Sequence, residues 1–119
     1  MEGQNYNRGE VWLASLDEDL AEITTRARLV TIVSTNTFNN GPADLIVVLP
    51  MTTRDHKIPC HVAVSPPESG SNKSSFVLCE RIQCVSRERL IKRIGKVSNQ
   101  TMKTIDDNLA TLLNLFPPN

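Results

Sequence analysis

The spacing of apolar positions changes several times along the chain, and each change marks an element. The longest uninterrupted run is Leu45-Ile46-Val47-Val48-Leu49-Pro50-Met51, which reads as a strand covered on both faces. Pro50 has no N–H to give to a ladder, so central pairing should stop near it. The hydroxyls of Thr52 and Thr53 then emerge where a buried strand reaches the surface. Upstream, Val11 and Leu13 alternate with Trp12, Ala14 and Leu16, giving a first strand over 9–16. The β-branched stretch Val30-Thr31-Ile32-Val33 gives a second over 28–35. Downstream, Pro59 opens a short strand reaching Val64, and the proline puts it at a sheet edge. Residues 75–85 alternate into a further strand, bent near Glu80 and Arg81. A short helical turn over 86–89 precedes the last strand, 90–97.

The intervening stretches are polar. Residues 17–25 form an acidic surface loop. Residues 35–42 are dense in turn formers and end on Gly41-Pro42. Residues 54–58 are a charged excursion, and 65–75 a serine-rich loop. From Ser98 the apolar period becomes helical, with Met102, Ile105, Leu109, Leu112, Leu113 and Phe116 on one stripe. Ser98 suits the N-cap, and Pro117-Pro118 ends the helix. Several short strands followed by one helix predict an α+β chain: a small curled sheet or barrel with a helical lid.

The 119 residues, 39% of them hydrophobic, fit one domain with a modest core. Thirteen basic and thirteen acidic residues cancel, so net charge names no partner, but distribution does more. Residues 1–25 carry a net charge of −5 and residues 80–103 one of +5, a dipolar arrangement able to gather a polyanion on one side. The first thirty residues do not resemble a signal peptide, and no apolar run approaches the roughly 18 residues of a membrane span. A soluble, cytoplasmic protein without membrane contact is expected. Three cysteines, Cys60, Cys79 and Cys84, with no CxxC pair suit reduced thiols. Together with His56 and His61 they lack the close ligand spacing of a zinc knuckle, so no metal and no cofactor is expected. The basic run 87–96 reads as the solvated half of an amphipathic strand. Aromatic side chains are few, and Phe38, in a turn, is the one placed to meet an unpaired base, while Trp12 and Phe76 read as core.

Several strings then line up in order. Arg8-Gly9-Glu10-Val11-Trp12 resembles the RGDV(W/Y) opening of the MazF/PemK toxins, and residues 28–35 resemble their RPVLVI strand. Asn39 matches the asparagine of the following turn. Residues 47–53 look like the VVPLTS strand end, Pro59-Cys60-His61-Val62 like PTHV, and Glu80 to Cys84 like EQIRT with Arg81 and Gln83 exchanged. Leu29 stands where the family usually has proline, and 17–25 lacks the glycine-rich loop of the family. The resemblance covers residues 8–116. It implies a single toxin domain over 1–119, with strands over about 8–97 and a helix over about 98–116, folded as a small SH3-like β-barrel or curled antiparallel sheet. It further implies a homodimeric, metal-independent endoribonuclease that cuts single-stranded RNA through 2′-hydroxyl attack and is silenced by a cognate acidic antitoxin of the MazE kind. The family's catalytic arginine falls on Arg28 and its catalytic threonine on Thr52. The RNA-binding residues expected around them are Arg26, Phe38, Asn39, Thr53, Arg54, Arg81 and Gln83.

The chemistry of such a pair follows from its groups. In-line attack by a ribose oxygen builds charge on the phosphorane oxygens, which a guanidinium meets with a fixed fork of donors. A threonine hydroxyl can serve a third oxygen or orient the nucleophile. Histidine titrates near neutrality, so His56 and His61 are the candidate bases, with His61, in its proline-started strand, read as structural. Two other classes stay open: a gyrase-targeting toxin resembling CcdB, and a non-catalytic SH3-like binding homologue.

Overall fold

The computed structural model describes residues 5–16, 27–70 and 72–115. Its elements in chain order are β1 (Glu10–Ser15), β2 (Ala27–Ile32), α1 (Asn36–Asn39), β3 (Leu45–Thr52), β4 (His61–Val64), β5 (Ser75–Leu78), β6 (Gln83–Ser86), β7 (Leu90–Lys96) and α2 (Asn99–Leu113). Single 3₁₀ turns cover Cys79–Arg81 and Arg87–Arg89. The strands form one antiparallel sheet in the order β4-β5-β3-β2-β1-β7, with β6 also paired to β3. The sheet is curled and open, with α2 as its helical partner, so of the two expected forms the curled sheet is the one adopted.

β3 is the spine. On one side Val48, Leu49 and Pro50 pair with Ile32, Thr31 and Val30 of β2. On the other, Leu45 to Val48 pair with β6, and Met51 and Thr52 pair with Val77 and Phe76 of β5. Pro50 sits where that second partner changes, and the β2 ladder ends at it, as a residue without an N–H requires. Consecutive β3 side chains serve opposite faces. Leu49 and Met51 join Val11, Val62, Val77, Ile105 and Leu109 in one core cluster, whereas Ile46 and Val48 join Trp12, Val30, Ile32 and Leu90 in another. Covering both faces is why the run reads as continuously apolar.

The opening string has a structural account. Gly9 adopts φ +91°, a conformation open to glycine. Its N–H donates to the Ile32 carbonyl at 2.8 Å and its own carbonyl accepts from Val97 N–H at 2.9 Å. Arg8 donates to the Val33 carbonyl and to the Asp106 carboxylate, tying the start of β1 to α2. Glu10 is buried, accepting from Trp12 Nε1 (3.0 Å), Asn7 N (3.0 Å) and Arg93 Nε (2.9 Å). Burial alone would raise its carboxyl; the hydrogen bonds from Trp12 and Asn7 and the Arg93 guanidinium hold it below the ordinary range instead.

Several expectations change. Residues 35–42 are not all turn: Asn36–Asn39 is one helical turn, and the Thr35 side chain accepts from Phe38 N–H as its N-cap. The alternation over 75–85 breaks at the 3₁₀ turn, which holds Arg81, and resumes at Gln83, the first residue of β6. α2 begins as predicted, with Ser98 Oγ accepting from Thr101 N–H at 3.1 Å. It stops at Asn114, in the left-handed region at φ 56°, before the two prolines are reached. Ile105 and Leu109 are buried, while Leu112 and Leu113 at the end of the stripe remain 44% and 47% exposed. The acidic loop 17–25 apart from its neighbours, Arg26, Phe116 and Pro117-Pro118 lie outside the described residues. Among the described residues no helix is long and apolar enough to cross a membrane.

Candidate active site

Arg28 on β2 and Thr52 at the end of β3 come from neighbouring antiparallel strands, and the register Val30↔Pro50 sets them side by side. Both line an open hollow of about 200 Å³ together with His56, Ile58, His61, Leu78, Glu80 and Arg81. Both also line an adjoining hollow of about 240 Å³ with Leu29, Met51, Thr53 and Ser75. Arg28 is exposed, and its Nη2 donates to the Met51 carbonyl at 3.2 Å. One donor thus anchors the guanidinium to the strand end while the rest of the fork faces solvent. The Thr52 hydroxyl accepts from Arg54 N–H at 3.1 Å, which leaves its own proton free to donate outward. Arg54 therefore acts here through its backbone, turning the chain away from β3.

The two histidines differ in exposure. His61 is 4% exposed in its side chain and its Nε2 lies 2.9 Å from Glu80 Oε2. His56 is exposed and stands edge-on to it, with ring centroids 6.1 Å apart. Burial would push the Glu80 carboxyl up; the His61 hydrogen bond, together with its own backbone N–H and the Cys60 thiol, brings it below the ordinary range. Sequence reasoning missed Glu80, which lies 19 positions from His61. The pairing of His61 with Leu78 across β4 and β5 is what closes that distance.

The expected RNA-binding residues divide. Thr53 lines the second hollow and Arg81 the first. Phe38 is 38% exposed on α1, and Gln83 is half-buried opposite Val48 on β6; neither lines these hollows. Asn39 is fully buried, its amide donating to the Tyr6 and Ser34 carbonyls at 3.3 and 3.0 Å while its oxygen accepts from Ser34 Oγ. A side chain so enclosed holds the α1 turn against the sheet. Arg26 lies outside the described residues. The basic run is largely committed to the fold: Arg87 donates to the Asn39 and Gly41 carbonyls, Arg89 to the Ser15 carbonyl and Arg93 to Glu10.

Residues 7–113 match the family of PemK-like, MazF-like toxins of type II toxin–antitoxin systems. Among solved structures, an endoribonuclease from a mycobacterial species is 29% identical, with a TM-score of 0.76 over 97% of both chains. A mycobacterial endoribonuclease in complex with its cognate antitoxin is 27% identical, with a TM-score of 0.75 over 98% of this chain and all of that one. The MazE–MazF complex of Deinococcus radiodurans, 22% identical, shares the fold with a TM-score of 0.73 over 93% of this chain and 97% of that one.

Proposed function

This chain belongs to the PemK-like, MazF-like toxin family of type II toxin–antitoxin systems, and from that premise we propose that it is an endoribonuclease cutting single-stranded RNA in the hollow between Arg28 and Thr52. The observation that carries this reading is that the two residues, from different strands, line one anion-sized recess beside His56 and Arg81.

In this mechanism a phosphodiester sits between the Arg28 fork and the Thr52 hydroxyl. The ribose 2′-oxygen attacks phosphorus, the bond to the 5′-oxygen breaks and water protonates the leaving oxygen, giving a 2′,3′-cyclic phosphate and a 5′-hydroxyl. Charge rises on the non-bridging oxygens as the phosphorane forms, and Arg28 and Thr52 meet it with donors already in place. His56, exposed at the rim, takes the proton of the attacking hydroxyl. Arg81 holds a neighbouring phosphate, and Thr53 extends the track into the second hollow. No step calls on a metal ion.

The same reading makes the chain a homodimer restrained by an acidic antitoxin. An apolar groove of about 450 Å³ supports pairing: Val33, Val47, Ile82, Leu109, Leu113 and Leu115 line it, and Leu113 and Leu115 are 47% and 56% exposed. Such a stripe is what a partner would cover.

The test is incubation of the purified protein with a long unstructured RNA in chelator, mapping the new ends. Discrete cuts bearing cyclic phosphates are expected, and a 2′-deoxy residue at the cut position abolishes that cut. RNA left intact at high protein concentration overturns the reading in favour of a binding module, and intact RNA with damaged DNA in expressing cells favours a gyrase-directed toxin.

A further inference from the structure

We propose that Cys60, His61 and Glu80 form a three-ligand site for a zinc-like transition-metal ion, beside the hollow that His61 and Glu80 line. The three side chains offer a thiol, an imidazole and a carboxylate whose ligating atoms all lie within 4.8 Å of one another. Cys60 Sγ is 3.5 Å from Glu80 Oε1, and His61 Nε2 is 2.9 Å from Glu80 Oε2. Ligands about 2.0–2.3 Å from one tetrahedral ion stand at similar separations from one another, so the cluster admits an ion with small side-chain movements.

The imidazole is presented to the cluster through one nitrogen. Its side chain is 4% exposed, and Nε2, 2.9 Å from Glu80 Oε2, is the atom aimed at the other two ligands. Nδ1 lies on the far side of the ring and takes no part in the site.

The donor set selects the ion. One sulfur, one imidazole and one carboxylate suit zinc or cobalt, whereas magnesium and calcium prefer all-oxygen sites. Binding forms a metal–sulfur bond and releases the Cys60 thiol proton to solvent, and it neutralises the Glu80 charge. Three protein ligands leave the fourth tetrahedral position to water. The ion joins the turn before β4 to the 3₁₀ turn after β5, beside the His61–Leu78 end of the β4–β5 ladder.

The experiment titrates the RNA-free protein with Co²⁺, reading absorbance, and then competes with Zn²⁺. One ion per chain is expected, with tetrahedral d–d bands, a thiolate-to-cobalt charge-transfer band and loss of both on adding Zn²⁺. Cys60→Ser removes the charge-transfer band and weakens binding by at least ~10-fold, and Glu80→Gln weakens binding while keeping the band. Cys84→Ser changes neither, since that thiol lies outside the cluster. Absence of a saturable one-to-one complex in the wild-type protein, or a charge-transfer band that survives Cys60→Ser, overturns the site. Neither readout uses RNA cleavage, so the outcome is separate from the endoribonuclease reading.

Discussion

Arg28 Nη2 donates to the Met51 carbonyl at 3.2 Å, so the guanidinium is fastened to the backbone one residue before Thr52. A flexible cation thereby becomes part of the strand end, and its position relative to the threonine hydroxyl is set by the β2–β3 register.

That fastening gives the first prediction. Arg28→Ala lowers the RNA cleavage rate ~10²–10³-fold, the usual effect of deleting one donor from a charge-stabilising site. Arg28→Lys keeps the charge but loses the planar fork, and it recovers only a fraction of the rate. Thr52→Ala falls in the same range, whereas Thr52→Ser, which keeps the hydroxyl, stays near wild type. Single-turnover cleavage of one RNA, with circular dichroism to confirm folding, checks all four.

Glu10 gives a pH dependence. Its folded carboxyl sits below the ordinary value because Trp12, Asn7 and Arg93 together outweigh its burial. A lowered folded value means that the stabilisation is complete above the unfolded carboxylate range and is lost as pH falls through the folded value. The wild-type unfolding free energy should therefore drop on the acid side more steeply than that of Glu10→Gln. At neutral pH the variant is the less stable by about 1–3 kcal/mol, because charge-assisted bonds are lost in a buried place. Urea unfolding at several pH values measures both effects.

Asn39 separates a structural role from an RNA contact. All its named bonds are internal, so Asn39→Ala removes three of them and costs about 1–3 kcal/mol, although the Tyr6 carbonyl keeps Asn40 Nδ2 and the Ser34 hydroxyl keeps Val47 N–H. Cleavage per folded molecule, measured well below the melting temperature, stays unchanged. A selective loss of RNA affinity in a fully folded variant would reverse the assignment.

The helix supplies a fourth pair. Ser98→Ala removes the cap on Thr101 N–H and costs about 1 kcal/mol. Ile105→Ala, at a position with no exposure, costs about 2–5 kcal/mol. Thermal melts rank the two.

Much of this was legible in the residues. The two-faced burial of β3, the edge position of β4 and the start of α2 follow from apolar spacing and from proline and serine chemistry. What escaped depends on contacts distant in sequence. Glu80 meets His61 because β5 turns back on β4, and spacing along the chain carries no trace of that pairing. Asn39 reads as a polar turn residue because nothing local announces that Tyr6 and Ser34 enclose it. Residues 75–85 divide into β5 and β6 because the chain coils through a 3₁₀ turn at Cys79–Arg81 where alternation suggested one bent strand. The exposed end of the α2 stripe illustrates the same limit: periodicity marks an apolar face but not which molecule covers it.

The pairing of β1 with β7, Glu10 opposite Lys96 and Val11 opposite Gly95, bears on how the protein is made. Among the described residues β1 is the first strand and β7 the last, so until residues 90–96 have been made this margin of β1 lacks its ladder. Arg8 likewise waits for Asp106. Synthesis cut short before residue 90 would yield a fragment with a bare margin of unpaired N–H and C=O groups, suited to clumping or proteolysis.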